Sequence, residues 1–235
     1  QQRYSFNSIF TSLPTQFIAN ELGKDYICTM LAKLIGIERH RITTDGQGVT
    51  TLVAFHSCTL HCRYCLNPQC LNQDIICRCV SPEDLLEEVS VDSLYFIATG
   101  GGITFGGGEP LLNSAFITEF SKIANPQWRI NIETSLNAGT HLLESILPCI
   151  SHYYIDIKDM NPQIYNAYTT GFNGIVKRNL QLLASKVSPD NVTIRLPHIP
   201  GFNNENDILE SKKELEQMGF INFDTFEYVK TSSNR

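Results

Sequence analysis

Runs of β-branched and apolar residues alternate along this chain with segments that carry helix caps and amphipathic spacing, and that alternation admits few folds. Val49 to His56 (VTTLVAFH) reads as a first strand. Ser81-Pro82-Glu83-Asp84 places a serine N-cap, a proline at the first helical position and a carboxylate at the third ahead of Leu85, Leu86 and Val89. Ile103 to Phe105 is a short strand ending in glycines, and Asn113 or Ser114 caps a helix with Phe116, Ile117, Phe120 and Ile123 at amphipathic spacing. The pattern then predicts a strand from Arg129 to Glu133, a helix from His141 to Leu147, a strand from Tyr153 to Lys158 and a helix from Ile175 to Ala184. A strand from Val192 to Leu196, a helix around Ile208 to Met218 and a strand around Phe223 to Tyr228 complete the series. Together these make about six βα units, the pattern of an α/β domain with a parallel sheet or barrel.

The chemically unusual residues gather at the ends of those strands. Strand one runs into Cys58-Thr-Leu-His-Cys62-Arg-Tyr-Cys65, and strand two into Gly106-Gly107-Gly108-Glu109. Glu133 ends strand three, Asp156 and Lys158 end strand four, and Arg195 lies near the end of strand five. Parallel barrels build their sites at the carboxyl ends of their strands, so these groups are expected to converge on one face. The CxxxCxxC triplet is one thiolate short of the four that usually hold a four-iron cluster, which leaves one iron open to an exchangeable ligand. A partial zinc site or three unrelated thiols is the alternative, although tetrahedral zinc sites favour two short-spaced pairs.

Composition narrows the setting. Eight cysteines in 235 residues suit a reduced interior rather than a small disulfide scaffold. Gln1 to Leu22 is polar and lacks the apolar core of a secretory signal, and no apolar run is long enough to span a bilayer. The chain is therefore expected to be soluble and cytoplasmic; a monomer is also expected. A net charge of −6 argues against a nucleic-acid partner held by phosphate neutralisation.

CxxxCxYC followed by a Gly-Gly-Glu turn resembles the radical S-adenosylmethionine (SAM) superfamily. Thr43 to Cys58 (TTDGQGVTTLVAFHSC), Thr99 to Leu112 (TGGGITFGGGEPLL), Tyr154 to Met160 (YIDIKDM), Thr170-Gly171 and Ile194 to Asn203 (IRLPHIPGFN) are more narrowly similar to the glycyl-radical enzyme activating enzymes, typified by the activator of pyruvate formate-lyase. The resemblance runs from about Ile37 to the C-terminus, in order and spacing. It implies a partial (β/α)6 TIM-like barrel over residues 37–235; residues 1–36 have no counterpart in the family and are expected to form an N-terminal extension, either a helical cap packing through Tyr26, Leu31 and Leu34 or a partner-docking segment.

The resemblance also implies a [4Fe-4S] cluster held by Cys58, Cys62 and Cys65, with SAM on the open iron, cleaved reductively to methionine and a 5′-deoxyadenosyl radical. The implied substrate is a glycine Cα–H in a glycyl-radical enzyme such as pyruvate formate-lyase, and the implied electron donor is flavodoxin or ferredoxin. No acid, base or nucleophile is required. Tyr64, Gly107, Gly108, Glu109, Thr134, Asp156, Lys158 and Arg195 are the implied SAM contacts. Glu133, Thr134 and Asp156 stand where the family holds a monovalent cation, Na+ or K+, with glutamate in place of the family aspartate. Read from the residues alone, the alternative is a buried ion pair of Asp156 or Glu133 with Lys158, and a rim salt bridge for Arg195.

Some residues depart from the family pattern. Ser57 replaces a glycine, Leu66-Asn67 stands for His-Asn, and Phe226-Glu227-Tyr228-Val229 lacks the histidine that reaches SAM. Cys70, Cys77 and Cys79 are either a further metal site or ordinary thiols, as Cys28 and Cys149 are expected to be. Two rivals share part of the pattern: another radical SAM enzyme, either an anaerobic ribonucleotide reductase activator or a small-molecule enzyme of the deazaguanine-synthase type, and a non-catalytic iron–sulfur carrier.

Overall fold

A computed structural model of the chain describes residues 31–42 and 44–228. In chain order its main elements are β1 (Ala32–Ile42), β2 (Val49–Phe55), β3 (Arg78–Val80), α1 (Pro82–Ser90), α2 (Ser93–Thr99), β4 (Gly102–Gly107) and α3 (Ser114–Ile123). These are followed by β5 (Arg129–Thr134), α4 (Thr140–Ile146), β6 (His152–Asp156), α5 (Pro162–Thr169), α6 (Gly174–Lys186), β7 (Val192–His198), α7 (Glu205–Gln217) and β8 (Phe223–Glu227). One eight-stranded sheet has the order β3-β1-β2-β4-β5-β6-β7-β8. The run from β2 to β8 is parallel throughout, while β1 lies antiparallel to both β2 and β3. Among the described residues β3 and β8 are not paired with each other, so this is a partial barrel, unclosed.

Local chemistry explains the elements. At the start of α1 the Ser81 hydroxyl accepts from the Asp84 amide and the Asp84 carboxylate accepts from the Ser81 amide, a complete capping box. A second box, Asn204 with Asp207, starts α7. The core fills the space between sheet and helices. Phe105 stacks on Phe55 at 5.4 Å and meets Phe120 edge-on at 5.5 Å, with all three rings fully buried. α1 packs on α3, and α3 on α4.

Two corrections concern the ends of elements. The boundary expected after residue 36 falls inside β1, and Leu34 is a buried strand residue rather than part of a helical extension. Leu31 is 43% exposed, and Tyr26 lies outside the described residues. The strand was hidden because its register shifts twice and because Glu38 and Arg41 face the site, which breaks the apolar alternation. Lys158, expected within a strand, lies beyond the end of β6.

Asp92, fully buried between α1 and α2, fastens the distal half of β1. Arg39 donates to both of its oxygens, through Nε at 2.6 Å and the terminal nitrogen at 2.5 Å, and His40 Nε2 lies 2.8 Å away. The Arg39 hydrogen bonds pull the Asp92 pKa below the usual carboxylate range, against burial and with help from His40. A lowered folded-state pKa gives stability that is present above the unfolded value and lost as pH falls through the folded one. Asp92→Ala is expected to cost about 1–3 kcal/mol near neutral pH. Urea unfolding at several pH values should show the gap from wild type narrowing below the usual carboxylate range.

Candidate active site

A cavity opens at the carboxyl ends of the parallel strands. Its walls include Cys58, Cys62, Cys65, Gly107, Gly108, Glu133, Thr134, Asp156 and Lys158. Of the residues implied by the family resemblance, only Tyr64, Glu109 and Arg195 are missing from that lining.

The cysteine loop is held by backbone, not by regular structure. His61 N–H donates to the Thr169 carbonyl and Arg63 N–H to that of Tyr168, each at 3.0 Å, at the end of α5. Leu60 beneath it is buried, and a Cβ on Gly171 would come within 2.7 Å of the Leu60 side chain. Ser57 enters the loop at φ 77°, a left-handed conformation that favours glycine, which accounts for the glycine typical of the family at that position. Burial pushes the Cys58 thiol up to about 12 and the Cys62 thiol up to about 11, the latter against the pull of Lys158.

The glycine turn is fitted against this loop. Gly108 N–H donates to the Phe55 carbonyl at 2.9 Å and Glu109 N–H to the Ser57 carbonyl at 2.8 Å. Gly107 has φ 93°, and a Cβ on Gly108 would lie 1.9 Å from the Ser57 oxygen. Neither position admits a side chain. Glu109, an implied SAM contact, is fully buried and does not line the cavity. Its carboxylate accepts from the Leu111 amide at 3.2 Å, the Thr134 hydroxyl, and the Ser135 amide and hydroxyl at 3.1 and 2.6 Å. Burial raises its pKa, while those four donors pull the other way.

Charge in the cavity is paired. Arg195, 3% exposed, donates to Glu133 and to the Thr44 carbonyl, with its guanidinium 4.6 Å from the Tyr154 ring centre. The carboxylate it clamps is therefore the protein's own. Lys158 Nζ lies 3.6 Å from Asp156. Burial works against the Lys158 ammonium, but Asp156 and the neighbouring Tyr228, Cys62 and Tyr168 hold its pKa well above the usual value. The Tyr64 hydroxyl donates to the Pro200 carbonyl at 3.3 Å, and its ring meets Phe202 at 5.7 Å and Tyr168 at 6.0 Å.

Glu38, Arg41 and Asp45 form a charged far wall that sequence reasoning missed, with Arg41 bridging the two acids. Asp45 sits within TTDGQG, the segment whose likeness to the family was noted for its pattern and not for any side chain. Tyr228 also lines the cavity, in the segment that lacks the family histidine.

The donor set fits an iron–sulfur cluster better than a single ion. Among the described residues no three His, Cys, Asp or Glu groups are gathered for one metal ion, and that includes Cys70, Cys77 and Cys79. A cubane instead takes each thiolate on a different iron. Buried thiols with raised pKa values need a strongly positive centre to ionise, and iron supplies one.

A cysteine-lined cavity at the open end of a partial parallel barrel defines the class. The radical SAM superfamily model matches residues 52–213, and the chain belongs to that superfamily. The (2S)-3-sulfopropanediol dehydratase activating enzyme of Klebsiella oxytoca is 32% identical over 145 residues, which covers 60% of this chain and 45% of that protein. The pyruvate formate-lyase-activating enzyme of Clostridium pasteurianum is 33% identical over 140 residues, 57% of each chain. The chain thus spans about half the length of those two relatives. The pyruvate formate-lyase 2-activating enzyme of Escherichia coli (strain K12) is 29% identical over 203 residues, 73% of this chain and 68% of that one. Among solved structures, Streptococcus suis SuiB bound to the precursor peptide SuiA has a TM-score of 0.59 at 11% identity, over 78% of this chain and 40% of that one. That likeness shows the fold alone.

Gly108→Ala forces its methyl group into the Ser57 carbonyl and is expected to cost about 1–3 kcal/mol. Because the displaced backbone enters the cysteine loop, iron bound per chain after anaerobic reconstitution should fall with it. Full iron content in a normally stable variant would contradict this placement.

Proposed function

We propose that this chain is a radical SAM activating enzyme for a glycyl-radical enzyme. The observation that carries the reading is the meeting of Cys58, Cys62 and Cys65 with the bare Gly107-Gly108 backbone and with Asp156 and Lys158 around one cavity. Membership of the superfamily and the activating-enzyme relatives support it. The three cysteines would hold a [4Fe-4S] cluster. When bound, the cluster with SAM supplies a one-electron reduction that splits SAM into methionine and a 5′-deoxyadenosyl radical, which takes a hydrogen atom from a glycine Cα of the partner.

This chain's residues bind and orient. Gly107 and Gly108 let SAM approach main chain without a side chain in the way, and the Asn67 amide steadies the Gly107 carbonyl at 3.4 Å. Lys158, kept charged by Asp156, offers donors to a carboxylate or ribose. Tyr228 presents a ring edge or hydroxyl where the family has its histidine. Glu109 acts at one remove, holding the glycine turn against Thr134 and Ser135. The partner class is a glycyl-radical protein, with pyruvate formate-lyase and sulfopropanediol dehydratase the first two to test, and flavodoxin or ferredoxin supplies the electron. The setting is a reduced cytoplasm.

Anaerobic reconstitution followed by dithionite and SAM should yield 5′-deoxyadenosine from wild type and only background from Cys62→Ala. Equal product from both would sink the mechanism. Adding each partner and recording electron paramagnetic resonance should then give a glycine-centred signal with one of them. Product without a glycyl signal from any partner would move the chain to the small-molecule radical SAM enzymes.

A further inference from the structure

The residues expected to hold a monovalent cation do not fit one. Glu133 is already engaged by Arg195, whose side chain is 3% exposed and cannot swing to solvent without unpacking. The Thr134 hydroxyl donates to Glu109 and accepts from the Leu136 amide at 2.9 Å. Asp156 faces Lys158. Asp156 and Arg195 are also register neighbours across β6 and β7, and Arg195 Nε lies 4.0 Å from Asp224. Each of the three side chains expected to ligate a cation therefore already has a partner within the chain, and an added ion would have to compete with Arg195, Glu109 and Lys158 for them. Burial opposes the Arg195 charge, but Glu133 and then Asp156 outweigh it, so the guanidinium stays charged throughout.

We propose that Arg195 is the resident cation of this site: its guanidinium, fixed to Glu133 and the Thr44 carbonyl, supplies the positive charge beside the SAM position, so that the site works without Na+ or K+. Arg195 is on this account a positioning residue, acting through Glu133. The five-donor fork can hold a carboxylate and a carbonyl together, which a lysine cannot do with the same geometry. The inference rests on the SAM-binding reading, but it can be tested apart from it.

The reconstituted protein is taken into NaCl, KCl and choline chloride at matched ionic strength. Its thermal midpoint and its SAM affinity by equilibrium dialysis are measured in each salt. Wild type is expected to show the same midpoint in all three salts and SAM affinities within about twofold, a spread well under the tenfold of 1.4 kcal/mol. Arg195→Gln is expected to weaken SAM binding in choline chloride and to recover with Na+ or K+, a rescue that a purely structural loss would not show. The double variant Glu133→Gln/Arg195→Gln, neutral at both positions, should fold without any cation response. A wild-type midpoint or SAM affinity that rises selectively with Na+ or K+ would overturn the proposal. If no salt supports SAM binding, the functional reading fails, and the midpoints still decide the cation question.

Discussion

One buried carboxylate holds the working face together. Glu109 accepts from Leu111, Thr134 and Ser135, so the end of β4 is tied to the end of β5 through a single side chain. Its own amide is committed to Ser57 at the entry of the cysteine loop. Three segments far apart in sequence thus share one node. Leaving any of its donors unmatched in a dry site costs more than the bond itself contributes, which makes the node all-or-none. The cysteine loop, the glycine turn and the Glu133-Thr134 edge owe their relative positions to it.

The same economy appears lower in the barrel. Charges that a parallel barrel would usually exclude from its lumen are present with partners: Arg195 with Glu133, Lys158 with Asp156, and Arg41 with both Glu38 and Asp45. Each set joins different strands or a strand and a loop. These charges are tolerable in the lumen because the pairing is local.

Much of this was legible in the sequence. Runs of β-branched and apolar residues marked the six parallel strands, several of them buried on both faces, and capping residues with amphipathic spacing marked the helices α1, α3, α4, α6 and α7. β1 was not legible: its bulges and its inward Glu38 and Arg41 break the period that marks a strand. α2 exposes Leu94 and Tyr95, at 81% and 56%, and so has no clean polar face to announce it. The cavity lining was foreseen at strand ends, because topology alone sends those residues to one face. The orientation of Glu109 was not, since a carboxylate after two glycines reads the same whether it meets a ligand or three neighbours of its own chain. Arg195 carried both readings, and only the position of Thr44 and Glu133 decides between them.

The cysteine loop leans on the last turn of α5, through the Tyr168 and Thr169 carbonyls. Cys58, Cys62 and Cys65 are translated more than a hundred residues before that support exists. A chain folded only as far as β5 would have all three thiols and no frame to space them. The spacing of the three thiols therefore depends on completion of the second half of the barrel, and a chain cut before α5 lacks the contacts that set it.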